Sequence, residues 1–328
     1  MPRPMDLRLR NLTCLTPTKP CTFQAGFDIM STDSVHVKTN RRHHTHYYHV
    51  DVFSKGPLTG NGLTVLICNQ FPKSETMLQI TQEMKQFETI FLKKIQDFEY
   101  SARIFTKDEE LDFAGHPILG AAAVIQVMQN CKETAEIRFH LNCKDVVVTS
   151  VEVDNQREYV CSMDQGTAEK IGRIAASDYT ELIKPLGLHR DDLAAAYPLE
   201  IVTTGLSYLI VPIRSGLETA GIFSSDYESL VTSYGAKFVY VFDIEAREGR
   251  TWDFSGLEDV ATGSAAGPVG SYLCDHGICK EGKTIILHQG RFLGRPSELR
   301  VLKEQETGSM IVSGNVSIIA NGTFYDGI

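Results

Sequence analysis

Two stretches of this sequence, 147 positions apart, follow one pattern. Asp112 opens DFAGHPILGAAAVI, and Asp259 opens DVATGSAAGPVGSYL. Each begins with an Asp, passes a turn of small residues containing Gly, presents a polar residue at the helix start, and runs on as a helix rich in Ala and Gly. Glycine weakens a helix interior by about 1 kcal/mol relative to Ala. Helices this rich in small residues therefore need close packing against their surroundings, or a function, in return. The chain is thus expected to hold one close-packed helix in each half, each entered through a polar turn.

The 328 residues are enough for two ordinary cores or one large one. Hydrophobic residues make up 42% and charged residues 22%, which rules out wholesale disorder, collagen and coiled coil. No apolar run reaches the length of a membrane span, and no apolar segment follows Met1 as a secretory signal would. The net charge of −9 argues against a nucleic-acid partner, since few phosphates could be neutralised. The eight cysteines, at 14, 21, 68, 131, 143, 161, 274 and 279, form no CxxC pair. That scatter predicts reduced thiols in a cytoplasmic protein. Cys274 and Cys279 lack partners at zinc-finger spacing, so no metal site is expected there.

Residues 1–46 differ from the rest. They carry seven Lys or Arg against three Asp, hold four prolines, and run into the His-rich RRHHTHYYH at 41–49. They read as an appendage, with the histidines solvated rather than metal-bound. From Tyr47 onward strands dominate. They are expected at 47–53, 63–68, 88–95, 101–107, 134–141, 145–154, 158–164, 198–203, 206–213, 236–245, 283–289, 297–304, 309–313 and 315–320. Helices are expected from a Ser74 cap to about Gln86, from His116-Pro117, over 177–187 and 226–234, and up to His276, where Gly277 is a natural stop. This is an α+β chain rich in antiparallel strands.

The turns carry the chemistry. A helix N-terminus presents unpaired N–H groups and a positive dipole end, a natural seat for a carboxylate or phosphate. Pro117 suits the first helical position, and Thr262, Gly263 and Ser264 offer backbone and hydroxyl donors. Two such ends facing one cleft can hold a small anion; plain capping explains them equally well. Three titratable residues accompany them. His116 stands at the mouth of the first helix, Asp259 just before the second turn, and Glu88 within the otherwise apolar QFETIFL. A buried carboxylate has a raised pKa suited to taking and returning a proton. Singly each has a bland explanation; together they form an acid/base constellation. No GxGxxG, GxSxG or HExxH occurs, so no dinucleotide, nucleophile-elbow or zinc-hydrolase chemistry is indicated.

These residues resemble the PhzF-like family of phenazine biosynthesis proteins. The matching pieces are HVDVFS…LTGNGLTVLI (49–67), EMKQFETIFL (83–92), RIFTKDEELDFAGHPILGAA (103–122), EDVATGSAAGPVGSYL (258–273) and QGRFLGRPSEL (289–299), spanning 47 to about 325. The resemblance implies a diaminopimelate epimerase-like fold: two similar domains, each a sheet wrapped around a central helix, with the active site in the cleft between them. The domains would be 47–165, completed by the returning 311–328, and 166–310. It also implies a cofactor-independent isomerase acting on a small cyclic or unsaturated carboxylic acid, and a homodimer.

In the family's isomerases a glutamate moves a hydrogen within trans-2,3-dihydro-3-hydroxyanthranilate, and Glu88 matches it. His116 and Asp259 match residues that bind and polarise the substrate. Ser264, with the Gly115 and Gly263 backbones, would hold its carboxylate. Related two-cysteine epimerases are disfavoured, since His116 and Ser264 stand at the corresponding positions. Three departures stand out: Phe87 where Ser is common, Gly62 where the family has Pro, and Val260 for Pro. Two other readings compete with an isomerase, a non-catalytic metabolite-binding or interaction protein, and an epimerase or racemase of another acid.

Overall fold

The computed structural model describes residues 45–153 and 158–324. Most of the 1–46 appendage, with Cys14, Cys21, His43 and His44, lies outside them. Within them sixteen strands form one sheet, whose two ends wrap around different helices.

The first half comprises β1 (His46–Val52), β2 (Asn61–Cys68), α1 (Ser74–Met84), β3 (Glu88–Gln96), β4 (Glu99–Thr106), β5 (Glu110–Leu111), α2 (Gly115–Met128), β6 (Ala135–His140), β7 (Asp145–Val153) and β8 (Glu158–Thr167). The second comprises β9 (Glu169–Arg173), α3 (Tyr179–Ile183), β10 (Glu200–Thr203), β11 (Ser207–Ile213), α4 (Tyr227–Ser233), β12 (Phe238–Asp243), β13 (Glu248–Arg250), α5 (Gly263–Asp275), β14 (Ile285–Gln289), β15 (Ser297–Lys303) and β16 (Ser309–Thr323). The sheet order is β1-β2-β3-β4-β6-β7-β8-β16-β15-β14-β13-β12-β11-β10-β9, with β5 beside β4. Because β1 also pairs with β16, the first eight strands on this path close into a barrel. The other strands form an open sheet over α5.

Local pattern explains these roles. In β6, Ala135, Ile137 and Phe139 point inward and Glu136 and Arg138 outward, the alternation of a strand wet on one side. In β2 nearly every residue is buried, because Leu63 and Val65 face α2 while Leu66 and Cys68 lie under α1. β11 is likewise covered on both faces: Tyr208 and Ile210 join the central core, whereas Leu209 and Val211 pack with Leu182, Tyr227 and Val231 of α3 and α4.

The small-residue helices fill the two wraps. All of α2 from Gly115 to Gln126 is buried. A Cβ on Gly120 would lie 2.5 Å from Leu63 Cδ2, and one on Gly270 of α5 2.5 Å from Val301 Cγ1. Close approach to the strands is thus what glycine buys in both helices.

Several expected boundaries shift. Ser74 is the first helical residue rather than the cap; Lys73 is the N-cap, and Ser74 Oγ instead accepts from Arg103. Pro117 is third in α2 rather than first, still within the turn whose N–H groups have no intrahelical partner. The expected 177–187 helix is the short α3 followed by a 3₁₀ turn at Lys184–Leu186. His46, placed in the appendage, already belongs to β1. The two strands expected at 309–313 and 315–320 are one, β16. Gly314 interrupts its pattern because the Phe53 ring lies across it, 2.3 Å from where a Cβ would stand. The short β5, β9 and β13 were not expected.

Candidate active site

Glu88 is the first residue of β3, paired in parallel with Leu63 of β2. Helix α1 ends at Met84, and the left-handed φ of 58° at its C-cap Lys85 turns the chain toward that strand. Glu88 is 7% exposed and His116, second in α2, is 5% exposed. His116 Nε2 lies 2.9 Å from Glu88 Oε2, but out of line for a hydrogen bond, and neither atom has such a partner among the described residues. A buried polar atom without a partner costs about 1–3 kcal/mol and calls for a reason. Burial pulls the His116 pKa down, but the Glu88 carboxylate, with Asp259 further off, outweighs it and leaves the pKa raised.

Asp259 is held differently. Its Oδ1 accepts from Asn61 Nδ2 at 2.9 Å and more weakly from the Ala261 N–H at 3.4 Å; Oδ2 accepts from Thr262 Oγ1 at 2.5 Å. Burial raises its pKa and the Glu88 charge adds to this, while His116, Thr262 and the Ala261 N–H oppose it. Gln289 supports the turn from behind. Its Nε2 donates to the Asp259 carbonyl at 2.8 Å and to Thr262 Oγ1 at 3.0 Å, and its Oε1 accepts from the Thr262 N–H at 3.1 Å. Asn61 also donates to the Ala261 carbonyl at 3.1 Å, so one amide from the first half ties down the second-half turn.

The two helix ends meet. A Cβ on Gly115 would lie 3.8 Å from both Gly263 C and Ser264 N, and one on Gly263 3.7 Å from His116 N. Neither helix has a side-chain cap. Ala114 cannot supply one, and Thr262, a residue type that often does, turns its hydroxyl to Asp259. Each end thus keeps N–H groups that no capping side chain takes, beside the dipole's positive pole. Ser264 Oγ lies 2.7 Å from the Tyr208 hydroxyl, whose phenol is pushed well above its ordinary pKa by burial and by the Asp259 and Glu88 charges. Gln165 Nε2 donates to the Gly263 carbonyl at 2.9 Å.

Glu88, His116, Asp259, Ser264, Gly115 and Gly263 all line one cavity of about 540 Å³. The structure therefore brings the six candidate site residues of the sequence into one cavity, whereas Pro117, Gly62 and Val260 do not line it. Sequence reasoning missed Asn61, Gln165, Tyr208 and Gln289. Asn61 and Gln289 lay within motif pieces quoted for the resemblance, but no local signal gave them partners some 200 and 30 residues away. Phe53 was missed too. Its ring sits 3.0 Å from where a Gly263 Cβ would stand, and its backbone holds a positive φ of 58°, a costly conformation for a bulky residue.

Chemically, the cavity offers a buried carboxylate and imidazole paired at 2.9 Å but out of line for a hydrogen bond, beside two helix ends suited to an anion. Among the described residues, no three His, Cys, Asp or Glu side chains converge as a metal shell requires. No helix among them is long and apolar enough to cross a membrane.

Comparison with known proteins gives a consistent result. Residues 50–322 match the family model described as phenazine biosynthesis-like protein. The chain is 32% identical over 293 residues to the trans-2,3-dihydro-3-hydroxyanthranilate isomerase of Pseudomonas aeruginosa, covering 85% of this chain and 99% of that one. A solved structure of a predicted epimerase from Pseudomonas aeruginosa superposes with a TM-score of 0.81 at 40% identity, covering 86% and 99% of the two chains. A probable proline racemase from Agrobacterium radiobacter shares the fold alone, with a TM-score of 0.51 at 12% identity over 87% and 92%. The fold is thus the epimerase-like one that the sequence motifs implied.

Proposed function

We propose that this chain, which belongs to the phenazine biosynthesis-like protein family, moves a hydrogen within a small cyclic or unsaturated carboxylic acid at the Glu88–His116–Asp259 cluster. It is an enzyme, an isomerase, and its substrate is a small molecule. The observation that carries the reading is the buried, unaligned 2.9 Å approach of Glu88 and His116 beside two uncapped helix ends.

In this reading the substrate carboxylate sits on the N–H groups near Gly115 and Gly263 and on the Ser264 hydroxyl. Glu88 takes the proton from one carbon and returns it at another. General acid–base transfer of this kind contributes about 10²–10⁴ in rate. His116 and Asp259 hold and polarise the polar groups of the substrate. The reaction as drawn needs no cofactor. We read 47–165 with 311–328 and 166–310 as the two domains that meet at this cavity. The free state of the six described cysteines supports a reducing, cytoplasmic setting. A homodimer is proposed from the family resemblance.

The test is an ultraviolet time course with trans-2,3-dihydro-3-hydroxyanthranilate, run on wild type and Glu88→Gln. A spectral change in wild type alone supports the reading; equal turnover in the variant removes Glu88 from it. If neither turns over but both bind, the substrate is another acid, sought by solvent deuterium exchange over a panel. Deuterium uptake without a change in constitution favours an epimerase.

A further inference from the structure

Phe87 directly precedes Glu88 and lines the cavity. It is half-buried, yet among the described residues it packs against none of the three apolar clusters. A large apolar side chain excluded from every core normally points into water, where it has no benefit, or faces a ligand. Other aromatic side chains, themselves packed on the cores, line the same cavity. Phe113 flanks the first-half turn, and Phe238 and Trp252 face the cavity from the second half. Phe238 stacks between Tyr208, at 5.6 Å and 30°, and Phe254, at 6.1 Å and 11°, so its ring is fixed as one layer of a rigid stack.

Other polar side chains of the lining bond within the protein: Gln165 donates to the Gly263 carbonyl and accepts from Thr204 Oγ1, and Asp253 Oδ1 accepts from Ser255 Oγ. At the mouth, Lys144 Nζ stands 4.0 Å over the Phe113 ring and Lys237 Nζ 5.5 Å over that of Phe238. The exposed Glu109 and Asp112 line the same opening, so the mouth selects neither sign of charge. Phe87, Phe113, Phe238 and Trp252 give the wall a large aromatic share. The volume of about 540 Å³ falls within the range of pockets that enclose ligands of drug size.

The geometry points to a defined substrate class: a carboxylic acid whose flat, unsaturated body is apolar beside the reacting carbon, with Phe87 as the residue that selects it. This rests on the proposed reading of the cavity as the substrate site. An amino or hydroxyl group pressed on the Phe87 ring loses its water and gains no partner, which costs roughly ten- to a hundredfold in affinity. A ring without such a group loses nothing and gains apolar contact.

Calorimetry on the full chain tests this with three acids of one ring type: benzoate, 2-naphthoate and 2-amino-3-hydroxybenzoate. Wild type is expected to bind the first two at least about tenfold more tightly than the third. Phe87→Ser should close or reverse that gap, and Phe87→Leu, which keeps an apolar wall, should preserve it. Melting curves of both variants show that they fold, as expected for a side chain outside the cores. Preference of the wild type for the amino-hydroxy acid, or an unchanged ratio in Phe87→Ser, overturns the inference while leaving the anion cradle standing. Failure of all three acids to bind overturns the reading of the site itself, and the inference with it.

Discussion

The two turn–helix units share a plan and differ in how their polar atoms are satisfied. In the second, every oxygen of the Asp259 carboxylate is engaged, by Asn61, Thr262 and the Ala261 N–H, and Gln289 braces the turn behind it. At the first, His116 Nε2 faces Oε2 of Glu88, which comes from β3, at 2.9 Å but out of line for a hydrogen bond. A fully hydrogen-bonded network specifies a shape; a buried pair held by charge and out of line is freer to reorient around a ligand. The first unit is thus built to react and the second to hold. Ser264 fits the holding side, since its hydroxyl is oriented by Tyr208 before any ligand binds.

The largest effect that can break this contrast is at Glu88. Glu88→Gln is expected to lower kcat by about a hundredfold or more while leaving the affinity for the acid within a few-fold, read by the ultraviolet time course and calorimetry. Next comes Asp259→Asn. It keeps the shape of a bracing group but removes its charge, so a loss of about tenfold in kcat/KM is expected, smaller than at Glu88. An equal or larger loss would make the two units equivalent partners.

The electrostatic side of the contrast has a sign. The folded His116 pKa lies above its unfolded value of about 6.5. Its contribution to stability is therefore complete below about pH 6.5 and is lost as pH rises through the raised folded value. Glu88→Gln removes the carboxylate that raises it, so burial should win and the His116 pKa should fall. A proton NMR titration of the His116 ring in both proteins checks this; an unchanged midpoint would remove Glu88 as the cause.

Two smaller predictions sharpen the likeness rather than the difference. Gly120→Ala and Gly270→Ala each drive a methyl to 2.5 Å from a strand side chain, Leu63 and Val301. Both should cost about 1–3 kcal/mol in denaturant unfolding, and a marked cost in only one would show that the helices are packed unequally. Asn61→Ala should cost about 1–2 kcal/mol, since it strips Asp259 Oδ1 of its main donor. It should also lower kcat/KM less than Asp259→Asn does.

Much of this was legible in the sequence, and the reason is local. The Ala- and Gly-rich runs after Asp112 and Asp259 mark the two helices, and an acid inside the apolar QFETIFL marks Glu88, because both break a periodic pattern within a few residues. Alternation located most strands, though the Gly314 break split β16 in two. What stayed hidden is set across distance. That Gln289 braces the Asp259 turn, that Tyr208 meets Ser264 and that Asn61 spans the halves depend on which strands lie side by side. The short β5, β9 and β13 owe their state to neighbours rather than to their own two to five residues.

The division of labour itself is tested by one measurement: kcat and dissociation constant determined separately, by single-turnover kinetics and calorimetry, for Glu88→Gln and Ser264→Ala. The account predicts opposite signatures. Glu88→Gln should bind normally and fail to turn over, whereas Ser264→Ala should bind about tenfold more weakly and, once saturated, turn over nearly as wild type does. If Ser264→Ala loses kcat at unchanged affinity, or Glu88→Gln loses binding and keeps kcat, the reacting and holding halves have been assigned the wrong way round.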